Sequence, residues 1–196
     1  MLVIVWLSLV LSGCGIPGPL LLSPSPSATQ MGAVRCPDTS AKFYLEEVVD
    51  KRGNADPRNV GFTQTGLFNR LTTLLTSPMP SEILGSVLAG FLDRCLIRSD
   101  DRTEADLTID TSLITLQVTE VTTTFSEVIS VELRSEFTVR AAATGRLTRR
   151  FIIDAAAEDS GLDTTQFASA VIEKAIVGAT EDLAGRLESC GAEVVR

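Results

Sequence analysis

The side chains with most chemical scope are the four cysteines, Cys14, Cys36, Cys95 and Cys190, in a chain that contains no histidine. Without histidine the chain cannot form a Ser-His-Asp or Cys-His nucleophile, and it lacks the commonest transition-metal ligand. The cysteines form no Cys-x-x-Cys pair, so they do not have the spacing of a zinc site. We therefore predict no catalytic residue, no metal site and no cofactor. A hydrolase that works with carboxylates alone would still fit the composition.

Cys14 stands in a context that predicts covalent lipidation. The apolar run from Met1 to Leu11 leads into Ser12, Gly13 and Cys14, as in a signal peptide whose cleaved product begins with a lipid-carrying cysteine. The pattern resembles the lipobox of bacterial lipoproteins, which implies removal of residues 1–13 and acylation of Cys14. Two or three acyl chains, such as palmitate, would hold the protein on a membrane almost permanently. The run is shorter than the ~20 residues that span a bilayer, which disfavours a transmembrane helix.

Two further features concern location and partners. The run has no Lys or Arg before it, which we attribute to a mis-assigned start codon. Gly15 stands where the enterobacterial lipoprotein pattern has the aspartate of inner-membrane retention, so the resemblance implies the outer membrane, with the domain facing the periplasm. The formal charge of -8 is carried by the part that follows residue 34. Such an acidic surface repels nucleic acid, and we predict no nucleic-acid partner.

The chain divides into three predicted parts. Residues 1–13 are the signal peptide, residues 14–35 are the lipidated cysteine and a flexible tether, and residues 36–196 are a single domain. The tether is rich in Pro, Gly and Ser and is expected to bury too little apolar surface to fold. About 160 residues remain, which is the size of one domain with one core.

The first half of that domain is predicted to contain one strand and one helix. The strand covers Ala41 to Asp50, with Phe43, Leu45 and Val49 on one side. A long polar loop, Lys51 to Asn59, leads to an extended segment from Val60 to Ser77. Ser81 is the predicted N-cap of a helix that buries one apolar stripe as far as Cys95.

The second half shows the clearest alternation. From Ile129 to Ala141 every odd position except Ser135 is apolar and every even position is polar, which predicts a strand with one wet face. A second such strand, Arg146 to Ala157, directs Leu147 inward. The strand before them changes phase and predicts a β-bulge near Thr111 to Leu113. Short connections make the three an antiparallel meander, and a last helix runs from an N-cap near Asp163 to Glu188.

These elements follow the order β-loop-α-β-β-β-α. Two amphipathic helices and a mainly antiparallel sheet with one wet face assemble most simply into a two-layer α+β sandwich. We expect both helices on the same face of the sheet.

Several strings resemble the YajG family of bacterial outer-membrane lipoproteins. They are Val49-Asp50-Lys51-Arg52, a loop from Gly61 to Gly66, the Pro-flanked helix and Ala105-Asp106-Leu107. The resemblance covers roughly residues 40 to 188 and implies no enzyme. Auxiliary lipoproteins of transporters have a related order of elements and usually carry a Tyr-Tyr-Leu-Leu-like first strand, which Phe43-Tyr44-Leu45 half matches.

The predicted topology places Cys36, Cys95 and Cys190 at one end of the sandwich. In an oxidising periplasm two of the three are expected to pair. We favour a structural disulfide between Cys36 and either Cys95 or Cys190.

Three places are candidates for binding a protein partner. Asp50 and Arg52 are either a turn-stabilising pair or part of a functional loop. Phe125, at a predicted hairpin tip, either folds back on the sheet or is an exposed anchor. The wet strand face is either a solvated surface with cross-strand ion pairs or a docking face, and its candidate residues are Glu132, Arg134, Glu136 and Arg140.

The sequence therefore predicts a lipid-anchored envelope lipoprotein whose non-catalytic α+β domain binds another cell-envelope component. The alternative is an auxiliary lipoprotein of an ABC-type lipid or solute transporter.

Overall fold

The computed structural model describes residues 18–65, 70–122, 127–161 and 164–194, which form eight strands and three helices. The helices are α1 (Ala28–Ala33), α2 (Pro80–Arg94) and α3 (Thr164–Val194). The α+β class predicted from the sequence is confirmed. The strands are β1 (Leu20–Leu22), β2 (Phe43–Leu45), β3 (Val49–Asp50), β4 (Asn59–Thr65), β5 (Arg70–Thr76), β6 (Leu107–Thr122), β7 (Glu127–Ala141) and β8 (Leu147–Gly161).

All the strands belong to one mixed sheet with the order β1-β5-β4-β6-β7-β8. The long strands β6, β7 and β8 form the predicted antiparallel meander. On its other edge β6 pairs in parallel with three short strands in turn: β2 at Leu107–Ile109, β3 at Ser112–Leu113 and β4 at Val118–Thr119. Strand β6 is therefore the centre of the sheet.

The junction of β4 with β6 requires a glycine. Gly61 has a φ of +148°, and a Cβ atom there would lie 2.3 Å from the carbonyl oxygen of Val118. The resemblance to the YajG family implied a loop from Gly61 to Gly66. This expectation is wrong for Gly61 to Thr65, because these five residues belong to β4 and pair with β5.

The two long helices cover the core face of the sheet. Helix α3 packs on β7, β8 and β1, while α2 contacts β2, β3 and α3. Beneath them the odd positions of β7 from Ile129 to Val139 are buried, as the alternation predicted. The buried helix residues are Ile83, Leu84, Leu88, Phe91 and Leu92 on α2, and Ala168, Val171, Ile172, Ala175, Ile176, Ala179, Leu183 and Leu187 on α3.

Helix boundaries differ modestly from the prediction. Helix α2 has Met79 rather than Ser81 as N-cap, because Pro80 suits the first helical position and Glu82 Oε2 accepts a hydrogen bond from Met79 N at 2.8 Å. Helix α3 continues beyond Glu188 to Val194. The predicted N-cap Asp163 lies outside the described residues.

Two side chains face the other way from their predicted sides. A register shift near the start of β8 leaves Leu147 exposed, while Arg149 instead reaches α3, where its Nη1 donates to Ser189 Oγ at 2.9 Å. Val49 is exposed because the predicted first strand breaks between β2 and β3, which resets its alternation. The predicted bulge in β6 is present, between Leu113 and Thr115.

The N-terminal segment is folded where a flexible tether was predicted. Strand β1 pairs in parallel with β5, and Leu22 is fully buried. Helix α1 begins with a capping box in which Ser27 and Gln30 bond to each other's backbone N–H groups. The tether prediction is therefore wrong for residues 20–34, because the leucines of β1 supply apolar surface that the sheet buries.

Substitutions of two neighbouring leucines test whether β1 is packed on the sheet. Leu22→Ala should lower the free energy of unfolding by about 2–5 kcal/mol, because it opens a cavity in the core. Leu21→Ala is the matched control and should change it by about 0.5 kcal/mol or less, because Leu21 is exposed. Urea unfolding of the non-lipidated chain that begins at Gly15 measures both, and equal effects would contradict the packed strand.

Candidate functional site

An apolar groove lies between the N-terminal segment and α2. Its volume is about 480 Å³. One wall is formed by residues 23–26 and Met31, and the other by α2. The apolar lining residues are Pro24, Pro26, Met31, Pro78, Ile83, Val87 and Phe91.

Two charged side chains also line the groove, and both are engaged by the backbone. Arg94 donates from Nη2 to Val34 O at 2.5 Å and from Nη1 to Gly32 O at 3.3 Å, with its guanidinium 5.7 Å from the Phe91 ring centre. Glu82 accepts the hydrogen bond that caps α2. The groove can therefore bind an apolar segment, and its two charged groups already serve the fold.

The wall of the groove formed by residues 23–26 is held to the domain by α3. Ser25 N donates to Glu173 Oε1 at 2.7 Å, which fixes the chain between β1 and α1. This wall was not predicted from the sequence. A signal was available, because Ser27 followed three residues later by Gln30 is the pattern of a capping box.

Asp50 and Arg52 organise the long loop between β3 and β4. Arg52 Nε and Nη2 donate to the Asp50 carboxylate at 3.0 and 2.7 Å, and Nη1 donates to Asn59 O at 2.8 Å. Nη2 also donates to Pro57 O. Because the Arg52 side chain is only 3% exposed, it closes the loop from inside rather than reaching a partner directly.

The electrostatics of this pair favour the ionised carboxylate. Burial raises the pKa of Asp50, but the hydrogen bonds and positive charge of Arg52 outweigh it, so the pKa lies below its ordinary value. A carboxyl whose pKa is lowered in the folded state stabilises the fold above its ordinary pKa. That contribution is lost as the pH falls through the folded-state pKa.

Asp50→Asn should lower the free energy of unfolding at neutral pH by about 1.5–3 kcal/mol, because hydrogen bonds to a charged group in a part-buried site are lost. The difference from wild type should shrink as the pH falls below the ordinary carboxyl range. Urea unfolding at several pH values measures it. Asp56→Asn, in the exposed pair with Arg58 of the same loop, is the control and should have a much smaller effect. A difference that persists undiminished in acid would contradict the ionic role of Asp50.

The wet face of the meander, opposite the helices, carries cross-strand ion pairs. We call it the open face. Glu136 Oε2 lies 2.7 Å from Arg150 Nη2, Arg140 Nε lies 3.1 Å from Asp110 Oδ2, and Arg134 Nε lies 3.4 Å from Asp154 Oδ1. Glu132 is exposed on the same face. The structure thus brings together the four charged residues that the alternation singled out.

The shortest of these ion pairs, Glu136 with Arg150, also affects the ionisation of its carboxylate. The hydrogen bond from Arg150 lowers the pKa of Glu136, so this carboxylate is ionised across the physiological range. The pairs leave an array of alternating charge. Its role in binding a partner stays a proposal.

Two candidate residues, Cys14 and Phe125, lie outside the described residues. Among the residues that the structure describes, no helix is long and apolar enough to cross a membrane.

The cysteines pair as one of the two expected combinations. Cys36 and Cys95 form a disulfide across a sequence separation of 59, whereas Cys190 is buried near the end of α3 and takes no part in it. The disulfide ties the chain after α1 to the end of α2.

Reduction of this bond should lower the free energy of unfolding by about 4 kcal/mol in the loop-entropy model, because it releases a long loop in the unfolded state. Urea unfolding with and without reductant measures this. The double substitution Cys36→Ala and Cys95→Ala should abolish the response to reductant. Cys190→Ala is the control and should keep it. A response that survives in the double variant would contradict the pairing.

Comparisons with known proteins identify the fold rather than a family. No family model and no curated protein matches the chain. Protein XCC0632 from Xanthomonas campestris, a DUF330 protein, superposes with a TM-score of 0.64 at 14% identity, over 88% of this chain and 97% of that one. Hypothetical protein CT253 from Chlamydia trachomatis gives a TM-score of 0.51 at 9% identity, over 77% and 97%. A minor lipoprotein from Acinetobacter baumannii gives 0.42 at 14%, over 76% and 90%.

At these identities the first two structures show that the chain shares a fold found in bacterial proteins. The third similarity is too low to support an argument. None of the three is named as a YajG protein. The YajG assignment therefore stays a hypothesis.

Proposed function

We propose that this chain is a lipid-anchored lipoprotein of the bacterial cell envelope whose non-catalytic α+β domain binds another envelope component. The anchor is the acylated Cys14, the membrane is the outer membrane, and the domain faces the periplasm. The YajG family is the proposed family.

The observation that carries this proposal is the apolar groove. Its lining is mostly apolar, and its charged residues, Glu82 and Arg94, are bonded to backbone groups of the fold. Such a site suits the binding of an apolar segment better than it suits proton transfer or nucleophilic attack. In this proposal the groove takes apolar side chains of a partner protein.

The position of the groove relative to the anchor supports the same proposal. Leu20, the first residue of β1, is only six positions after Cys14, so the proposed anchor lies within about 20 Å of the sheet. The groove wall then follows β1 directly. A partner in the groove would therefore be held near the membrane.

The polar surfaces supply a second, weaker contact. The charged array of the open face, with Glu132, Arg134, Glu136 and Arg140, is proposed to add charge complementarity, which selects a partner more than it adds affinity. Asp50 and Arg52 would act by holding their loop. Phe125 is a further proposed contact with the partner.

The alternative function, an auxiliary lipoprotein of an ABC-type lipid or solute transporter, is favoured by one observation. Phe43-Tyr44-Leu45, the half match to the first strand of such proteins, forms β2 and pairs with the central strand β6. In that case the partner would be a transporter subunit.

Lipidation is tested by growing cells with a labelled fatty acid. The wild-type protein should carry the label and remain in the membrane fraction, because acyl chains on Cys14 anchor it. Cys14→Ala should lose the label. Cys190→Ala should keep it, which controls for the loss of a cysteine. A labelled Cys14→Ala protein would contradict the anchor.

The same cells, crosslinked before the envelope is solubilised, test the partner. Recovery of one envelope protein with the wild type, and its loss with Cys14→Ala, is the expected result. If that protein is a transporter subunit, the alternative function is correct. Recovery of bulk outer-membrane protein alone would contradict a specific partner.

A further inference from the structure

One corner of the sheet exposes three large apolar side chains. We call the exposed residues Leu21, Phe62 and Leu71 the apolar corner. Leu71 is 73% exposed, Leu21 is 55% exposed and Phe62 is 51% exposed. They lie on β1, β4 and β5, which are adjacent strands.

The register places these side chains on one face. Leu21 is opposite Leu75, Phe62 is opposite Thr73, and Leu71 is opposite Gln64, so they occupy alternate positions of neighbouring strands. The intervening residues Leu22, Leu74 and Thr63 are buried on the helix side. Phe62 is also opposite Thr119 of β6, which places the apolar corner on the open face.

The rest of the open face is different. Across β6, β7 and β8 it carries three ion pairs, as a face in contact with water commonly does. At the corner, the corresponding positions are leucine, phenylalanine, threonine, glutamine and asparagine. Scattered exposed apolar residues need no explanation, but a group on adjacent strands indicates an interaction surface.

The path of the chain indicates what that surface meets. Strand β1 runs parallel to β5, with Leu20 beside Leu74, so the chain before β1 leads toward the Arg70 end of β5. Leu71 lies three residues, or about 10 Å, from Leu74 in that direction. Gly18 is four residues from Cys14, a span of at most about 14 Å. An acyl anchor on Cys14 is therefore confined to the neighbourhood of the apolar corner.

We propose that the apolar corner rests on the surface of the lipid bilayer, with Phe62 and Leu71 in contact with lipid. This rests on the proposed lipidation of Cys14. The chain is acidic, with a formal charge of -8, which disfavours attraction to anionic headgroups as the source of the contact. Contact through apolar side chains is accordingly insensitive to salt.

This orientation also determines which way the groove faces relative to the membrane. Ser77 and Pro78, which line the groove, follow β5 at its other end, about 20 Å from Leu71. With the Leu71 end on the bilayer, the groove opens away from the membrane, where a partner can enter it.

The sequence allows a direct test by tryptophan fluorescence. The only tryptophan is Trp6, in the segment removed with the signal peptide, so the mature lipoprotein contains none. Leu71→Trp and Phe62→Trp each introduce one probe at the corner. Leu147→Trp and Ile152→Trp are matched controls, because both residues are exposed and apolar on the same open face, on β8 at the opposite edge of the sheet.

Each purified lipidated variant is incorporated into phosphatidylcholine vesicles with or without bromine on the acyl chains. We expect a blue shift on vesicle binding and quenching by the brominated lipid for Leu71→Trp and Phe62→Trp, unchanged in high salt. The two controls should show neither change. Circular dichroism of every variant confirms that the fold is retained.

The remaining outcomes separate this inference from the proposed function. Corner probes that stay unquenched, on a protein that floats with the vesicles, would overturn the inference and leave the lipoprotein assignment intact. A protein that neither carries acyl chains nor floats would overturn both. A concentration-dependent blue shift of the corner probes in the non-lipidated chain without vesicles would show that a second copy covers the corner, and would also overturn the inference.

Discussion

Strand β6 must satisfy hydrogen-bonding groups along two edges, and this requirement shapes the rest of the fold. Strand β7 covers one edge along its whole length. The other edge would expose unpaired N–H and C=O groups if the short parallel strands β2, β3 and β4 did not cover it in turn. The chain must therefore leave and rejoin the same edge twice. The loop closed by Arg52 is the connection that returns it from β3 to β4, which explains why a surface loop contains a buried guanidinium.

The N-terminal segment is fastened to this framework at three separate places. Strand β1 pairs with β5, Ser25 bonds to Glu173 of α3, and the chain after α1 is held by Arg94 and by the disulfide of Cys95. Arg94 and Cys95 are consecutive, so the end of α2 holds residues 32–36 by one polar and one covalent link. A lipid on Cys14 would consequently be connected to a rigid domain by only a few residues.

The parts of the fold that the sequence revealed are those governed by local periodicity. Alternation in β7 and the stripes of α2 and α3 are visible in short windows, and so is the phase change of the bulge. The parallel pairing of β2, β3 and β4 with β6 joins residues about 60 positions apart, and no local pattern encodes it. The outward rotation of Leu147 depends on a register shift against β7. Strand β1 was missed because three leucines among prolines and serines acquire their stability only from the sheet that buries them.

The residues of the candidate site also differ in how far local sequence reveals them. The charged residues of the open face and the Asp50–Arg52 pair were identifiable from residue type and spacing, whereas the groove depends on the docking of two distant segments.

The location of the groove limits the kind of partner that it can bind. The groove lies about 20 Å along β5 from Leu71, and the proposed anchor on Cys14 would add at most about 20 Å more. If Cys14 carries the proposed lipid, the groove would lie within about 40 Å of the membrane surface. A component that binds there must itself be held near the membrane or project toward it, which favours a membrane-associated protein over one that diffuses freely through the periplasm.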